Sequence, residues 1–233
     1  MDYIAHRGAS GYAPENTVES FREALRLGCR KFEFDVQLSR DGRLVVAHDY
    51  RLPPGALMGR QIAEMDFEEI RAVPVPGKFA EKYPKARVPS LEETLDILAA
   101  PGNWLNAEIK NEEDRYPGIE EKTLAALKTR NADFLISSFD VPVLERVRRL
   151  DEKIALGVLW KGDFKEGLEL ARKLKAASIN INQKRCSPDF ARLAHENGLK
   201  LMLYTVNDKT AALELEKTGV DAVFTDFPDL RSR

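Results

Sequence analysis

The chain has 233 residues, 43% of them hydrophobic and 32% charged, and its 36 basic and 38 acidic side chains leave a net charge of -2. That is the composition of an ordinary globular protein and excludes a disordered or low-complexity chain. Both signs of charge are spread along the whole sequence, so there is no basic field for nucleic acid or an anionic membrane, and the expected partner is a small molecule.

The length suits one barrel-sized domain, read as residues 1–233. Cys29 and Cys186 lie far apart and outside any CxxC pattern, which suggests neither a disulfide framework nor a zinc site. The opening residues Met1 to Gly8 carry charge and lack a signal peptide's apolar stretch, and no run approaches the ~18 apolar residues of a membrane span. The expectation is a cytoplasmic protein without a stable membrane anchor. The sequence sets no oligomeric state.

Short apolar runs alternate with helical patterns from end to end, the signature of βα units on a parallel sheet. Tyr3 to His6 reads as the first strand. A helix follows over 17–27, where Val18, Phe21, Ala24 and Leu25 form one stripe, opened by Asn16 with Glu19 three residues on and closed by Gly28. Lys31 to Leu38 is the second strand, and Ser39-Arg40-Asp41-Gly42 turns the chain into a short return run at 44–47. Residues 51–88 break the rhythm with prolines, glycines and one weak helical stretch near 66–72, and are read as a small cap inserted over the pocket.

From there the pattern is regular. Helices are predicted over 90–99, 118–130, 141–150, 164–174, 188–197 and 208–217, and strands over 104–109, 133–137, 153–159, 177–182, 199–206 and 220–225. Eight parallel strands with short connections favour a closed (β/α)8 TIM barrel over an open doubly wound sheet, because closure removes both edges. The lack of a GxGxxG after the first strand weakens a dinucleotide-binding alternative.

In such a barrel the chemistry sits at the C-terminal ends of the strands. His6 and Arg7 end the first strand, Glu33 and Asp35 share a face of the second, and Glu108 and Lys110 end the third. Phe32, Phe34 and Val36 fill the opposite face of the second strand and must pack on the outer helices, which turns Glu33 and Asp35 inward. Unpaired carboxylates are too costly to bury there, so a cation must balance them. A turn centred between Arg40 and Asp41 pairs Leu38 with Arg43 and Glu33 with His48, which returns His48 to the same site.

Glu33, Asp35 and Glu108 offer only hard oxygen ligands, suited to one divalent cation, Mg2+, Ca2+ or Mn2+, rather than zinc. His6 and His48 are left for proton transfer on opposite sides of a phosphorus, and Arg7 and Lys110 add fixed positive charge for the phosphoryl oxygens. Phe139, Trp160 and Tyr204, near the ends of the fourth, fifth and seventh strands, are read as pocket walls. His195 is read as a surface residue, Asn16 and Thr17 as helix caps, and Thr225 to Pro228 as a strand terminator.

The ordered segments His6-Arg7-Gly8 through Pro14-Glu15-Asn16-Thr17, Glu33-Phe34-Asp35-Val36, His48-Asp49, Glu108-Ile109-Lys110 and Thr225-Asp226-Phe227-Pro228 resemble the glycerophosphodiester phosphodiesterase family over essentially the whole chain. The resemblance implies a barrel with a cap after the second strand, a divalent cation on Glu33, Asp35 and Glu108, and catalytic roles for His6 and His48. It further implies cleavage of glycerophosphodiesters to sn-glycerol 3-phosphate and an alcohol such as choline or ethanolamine. Two features depart from the family's pattern and bear on substrate preference. The usual Arg-Thr-Thr segment is absent from Asp49 to Gly55, and Tyr204 stands where Trp is common. On sequence alone two other readings stay open: a lysophospholipase D or phospholipase-type barrel acting on lipid phosphodiesters, and a noncatalytic barrel that binds phosphorylated ligands.

Overall fold

The computed structural model describes residues 1–52, 59–112 and 115–233. Its strands are β1 (Asp2–His6), β2 (Lys31–Leu38), β3 (Leu44–Val46), β4 (Trp104–Ile109), β5 (Asp133–Ser138), β6 (Ala155–Trp160), β7 (Ser178–Asn182), β8 (Lys200–Tyr204) and β9 (Ala222–Thr225). All except β3 run parallel in the order β1-β9-β8-β7-β6-β5-β4-β2, and pairing of β1 with β2 closes the ring. This is the expected (β/α)8 barrel. Helix α1 (Val18–Arg26) follows β1, and α2 (Phe67–Ala72) lies in the insertion. The crossovers after it carry α3 (Leu91–Leu98), α4 (Ile119–Lys128), α5 (Val141–Leu150), α6 (Phe164–Lys173), α7 (Phe190–Glu196) and α8 (Lys209–Glu216).

Side-chain alternation divides each strand between barrel and helices. Phe32, Phe34 and Val36 are fully buried in the core shared with the helices, where the Phe34 ring meets Phe21 of α1 edge-on at 6.3 Å. Glu33 and Asp35, also buried, take the inner face.

Two local expectations are corrected. Thr17, not Asn16, caps α1: its Oγ1 accepts the Ser20 N–H at 3.3 Å while Ser20 Oγ accepts the Thr17 N–H at 3.2 Å. Serine thus plays the part expected of Glu19 in the capping box, which frees Asn16 for other contacts. The hairpin after β2 is also one residue out of the predicted register. Gly42, at φ +77°, adds a left-handed residue to the loop, so Leu38 faces Leu44 and Val36 faces Val46. The Gly42 N–H donates to Ser39 O and the Ser39 N–H to Arg43 O, both at 2.9 Å, as in a type I turn with a glycine bulge. Glu33 therefore does not face His48 across the ladder. The return strand ends at Val46, and His48 lies in the segment beyond it.

Val45, Leu52, Ile62, Met65, Phe67 and Ile70 form a separate apolar cluster beneath the insertion. Arg40, in the hairpin loop, pairs with Asp66 at 2.8 Å and Glu69 at 3.2 Å. The part of the expected cap at 53–58 lies outside the described residues. No described helix is long and apolar enough to cross a membrane, and both cysteines are free. Because Phe34 joins α1 to the strand that carries two of the acids, Phe34→Ala should lower stability by about 3–5 kcal/mol. Urea denaturation of the purified variant measures this directly.

Candidate active site

At the C-terminal mouth of the barrel, Glu33, Asp35 and Glu108 each offer an oxygen within 4.8 Å of the others. The register places them, since β2 and β4 pair with Asp35 beside Glu108. Glu33 Oε2 accepts the Arg7 N–H at 2.9 Å, whereas its Oε1 is buried without a hydrogen bond. Asp35 Oδ2 accepts from Asn16 Nδ2 at 2.8 Å and lies 3.2 Å from Arg7 Nε. Asp35 Oδ1, 3.6 Å from Lys110 Nζ, makes no hydrogen bond. Glu108 Oε1 accepts from Lys110 Nζ at 3.0 Å. Two orphaned, buried carboxylate oxygens beside a third acid are what an oxygen-seeking divalent cation satisfies, so the residues present fit such an ion.

Arg7 reaches both acids from a turn with left-handed backbone at Arg7 (φ 56°) and Gly8 (φ 80°). A Cβ at Gly8 would stand 2.5 Å from Ser20 Oγ, so only glycine lets this turn sit on α1. Burial, then repulsion from Asp35 and Glu108, pushes Glu33 well above the usual carboxylate range. Burial and Asp35 raise Glu108 as well. Burial opposes ionisation of Asp35 too, but Arg7, Lys110, His48 and the Asn16 hydrogen bond together hold it low. Burial works against the charges of Arg7 and Lys110, and the neighbouring acids outweigh it. Glu33 is thus the acid whose proton a cation would displace.

His6 Nδ1 lies 2.8 Å from Asp226 Oδ1, an oxygen that also accepts from Ser10 Oγ at 3.0 Å. Asn207 Nδ2 donates to Asp226 Oδ2 at 2.6 Å. Burial opposes the Asp226 charge, but His6, Asn207 and Ser10 keep its pKa low. A carboxylate at Nδ1 selects the tautomer with the proton there and leaves Nε2 available.

His48 Nδ1 lies 2.7 Å from Asp49 Oδ1, a more exposed partner. Gln37 holds the backbone on both sides of His48, its buried Nε2 donating to Ala47 O at 2.8 Å and Asp49 O at 2.9 Å. Tyr116 OH donates to Gln37 Oε1 at 2.7 Å. This clamp, not the ladder, delivers His48.

His6, Arg7, Glu33, His48 and Glu108 line one cavity, with Phe139 and Tyr204 across from the acids. The two rings meet edge-on at 5.9 Å, and burial, then Glu108, pushes the Tyr204 hydroxyl up to about 12. Asp35 and Lys110 are buried beside this wall. Trp160 is not a wall residue. Alternation along β6 turns it away from the barrel, where it packs on Gly162 and Gly167 and donates Nε1 to Asp163 O at 2.6 Å, while Leu159 and Lys161 line the cavity. His195 is exposed and pairs with Asp221 at 2.9 Å, as expected of a surface residue.

The site contacts of Gln37, of Asn16, expected only as a helix cap, and of Asp226, expected only within the strand terminator, are not among the sequence expectations. Gln37 continues the inward series Glu33, Asp35, and Asp226 continues Ala222, Phe224, so period-two counting could have found both. Asn16 sits in a loop with no period to reveal it.

A closed parallel barrel with three clustered acids and two carboxylate-backed histidines at one mouth has the architecture of a metal-assisted barrel hydrolase. The chain belongs to the Glycerophosphoryl diester phosphodiesterase family, whose sequence profile matches residues 6–230. The family is one of divalent-metal-dependent enzymes. The chain is similar to a glycerophosphodiester phosphodiesterase of Caldanaerobacter subterraneus subsp. tengcongensis, at 34% identity over 228 residues, covering 97% of this chain and 94% of the other. A Bacillus subtilis glycerophosphodiester phosphodiesterase is 32% identical over 252 residues, 97% of this chain and 84% of its own. The fold superposes, with a TM-score of 0.87 at 31% identity, on an Oleispira antarctica phosphodiesterase in complex with the product sn-glycerol-3-phosphate, covering 100% of this chain and 96% of that one.

Asp226→Asn should lower kcat about 10–100-fold with cation affinity kept, measured by steady-state kinetics beside metal titration. Gln37→Met should release the His48 segment and lower kcat about 10-fold, again with cation binding kept, since small displacements of a reacting group cost up to ~10² in rate. Folding holds the Glu33 proton more tightly than the unfolded chain does, so cation-free stability falls as pH rises through its raised pKa. Added divalent cation should therefore raise Tm by an amount that grows as pH rises above the ordinary carboxylate range, read by thermal denaturation.

Proposed function

We propose that this protein hydrolyses water-soluble glycerophosphodiesters to sn-glycerol 3-phosphate and an alcohol, with Glu33, Asp35 and Glu108 as the seat of one Mg2+, Ca2+ or Mn2+. The observation that carries the reading is the meeting, at one barrel mouth, of three acids, two of them with an orphaned buried oxygen, and two histidines each backed by a carboxylate. A divalent cation there would neutralise phosphoryl charge and acidify a hydroxyl placed beside it. Arg7 and Lys110 hold the acids in place and add fixed positive charge near the phosphoryl oxygens.

One histidine takes the proton from the attacking oxygen, the glycerol hydroxyl or water. The other gives a proton to the departing alcohol oxygen as the new P–O bond forms and the old one breaks. Attack by the neighbouring glycerol hydroxyl would yield a cyclic phosphate, which water then opens. Phe139 and Tyr204 wall the substrate, and residues 51–88 cap a single catalytic domain. A cytoplasmic setting belongs to the same proposal and suits two free thiols.

One observation favours a lipid diester as the second reading. An apolar groove lined by Val46, Leu52, Ile62, Val73, Val75 and Val88 shares His48 with the cavity. The deciding experiment incubates glycerophosphodiesters and a lysophospholipid with each cation and identifies products. Glycerol 3-phosphate, or its cyclic precursor, is expected from the soluble diesters and should vanish with chelator. Cleavage of no substrate would refute the proposal, and release of the headgroup alcohol and an acylglycerol phosphate from the lysophospholipid alone would favour the second reading. His6→Ala and His48→Ala should each lower kcat about 10²–10⁴-fold with KM largely kept, while Glu33→Ala should lose the cation.

A further inference from the structure

Alternation along the strands continues below the acids. It turns Asn106 of β4, Ser137 of β5, Gly157 of β6 and both Ser178 and Asn180 of β7 into the barrel. Barrel interiors fill in layers drawn from alternate strands, usually with branched apolar side chains. Counted from the registers, Glu33, Ser137, Asn180 and Phe224 share one layer, and Ile4, Asn106, Gly157 and Met202 share the one beneath. Polar groups and a glycine thus stand where apolar ones are usual. Asn106, Ser137, Ser178 and Asn180 are at most 1% exposed. Among the described residues, Asn106 Oδ1, Ser137 Oγ, Ser178 Oγ and both amide atoms of Asn180 have no hydrogen-bond partner, as is true of Glu33 Oε1 beside them. A Cβ at Gly157 would stand 3.0 Å from Ser178 Oγ and 3.1 Å from Asn180 Nδ2, so glycine lets both polar groups converge there. The cavity of the acids reaches down to Asn106 and Phe224, and a second concavity at the opposite mouth reaches up to Ile4 and Met202.

Buried amides and hydroxyls left bare are costly, so this set calls for a ligand. Its chemistry is mixed: Asn180 Nδ2 and the serine hydroxyls donate, while the amide oxygens and Glu33 accept. A cation would leave the amide donor unserved, and an anion would meet Glu33 and the amide oxygens. Water both donates and accepts. We propose that the barrel interior beside and beneath Glu33 is a binding site for ordered water, and that Asn180 and Ser137 are positioning residues that hold Glu33 through it. Glu33 Oε2 is fixed by the Arg7 N–H, whereas Oε1 has two lone pairs, one for a cation and one for a water. The site needs no assumption about the reaction, and its effect on the cation rests on the metal seat proposed above.

The first test is a crystal structure of the protein at a resolution that shows ordered solvent. Water is expected within hydrogen-bond distance of the Asn180 amide and Ser137 Oγ, and no density there, or a lone metal ion, would overturn the site. The second test compares Asn180→Val with Asn180→Thr, which differ by one hydroxyl. If water serves the amide, Asn180→Val strands its neighbours and should lower Tm by about 5 °C. It should also weaken Mg2+ or Mn2+ binding about 10-fold or more, read by calorimetric titration, with Ser137→Ala moving affinity the same way. Asn180→Thr should recover most of both. A bare amide predicts the reverse, because its removal relieves a penalty, so a higher Tm in Asn180→Val would overturn the site. Affinity unchanged in both Asn180→Val and Ser137→Ala would overturn the positioning role. A wild type that binds no divalent cation would overturn the metal seat and with it the positioning role, while the solvent density still decides the water site.

Discussion

At the barrel mouth three acids are in direct contact with two fixed cations among the described residues. Glu33, Asp35 and Glu108 are packed within reach of one another, and Arg7 and Lys110 are the permanent charges among them. Burying carboxylates costs several kcal/mol each unless they are paired, so this cluster is balanced either by a proton on Glu33 or by an added cation. A folded chain tolerates such a deficit only where the ligand repays it. Much of the surrounding structure serves to keep the deficit in place.

The barrel does this by register and by side-chain alternation. Parallel pairing of β2 with β4 sets Asp35 beside Glu108, and the phenylalanines on the outer face of β2 prevent Glu33 and Asp35 from turning away. The neighbouring turn contributes Arg7 twice, through its backbone N–H to Glu33 and its guanidinium to Asp35. Asn16 Nδ2 donates a hydrogen bond to the same Asp35 oxygen. Each constraint occupies one side of an acid and leaves another oxygen for a ligand. The histidines are held in the same way, His6 by Asp226 and His48 by the Gln37 clamp on its flanking carbonyls.

The eight parallel strands, the inward acids and the histidine ending β1 were all legible in the sequence, because they depend on period-two patterning and on the cost of burying charge. His48 reaches the cavity, but not through the strand pairing that the sequence suggests. Hairpin register hangs on a single residue, and the left-handed Gly42 added one that a two-residue turn lacks. Trp160 ends β6 yet faces the helices, because alternation and not nearness to a strand end decides which side chain enters the cavity, and the same alternation turns Lys161 inward. Asn and Thr both suit an N-cap position, and only tertiary packing selects Thr17 and leaves Asn16 to Asp35. Asp226, in a segment read as a terminator, gains its meaning from a partner 220 residues away.

The balance of charge at the barrel mouth is most directly tested by calorimetric titration of a divalent cation into the protein near neutral pH, in two buffers of different ionisation enthalpy. The account predicts one ion per chain with release of a proton, and loss of that proton release in Glu33→Gln. Binding with no proton released, or binding equally tight in Glu33→Gln and Asp35→Asn, would contradict it.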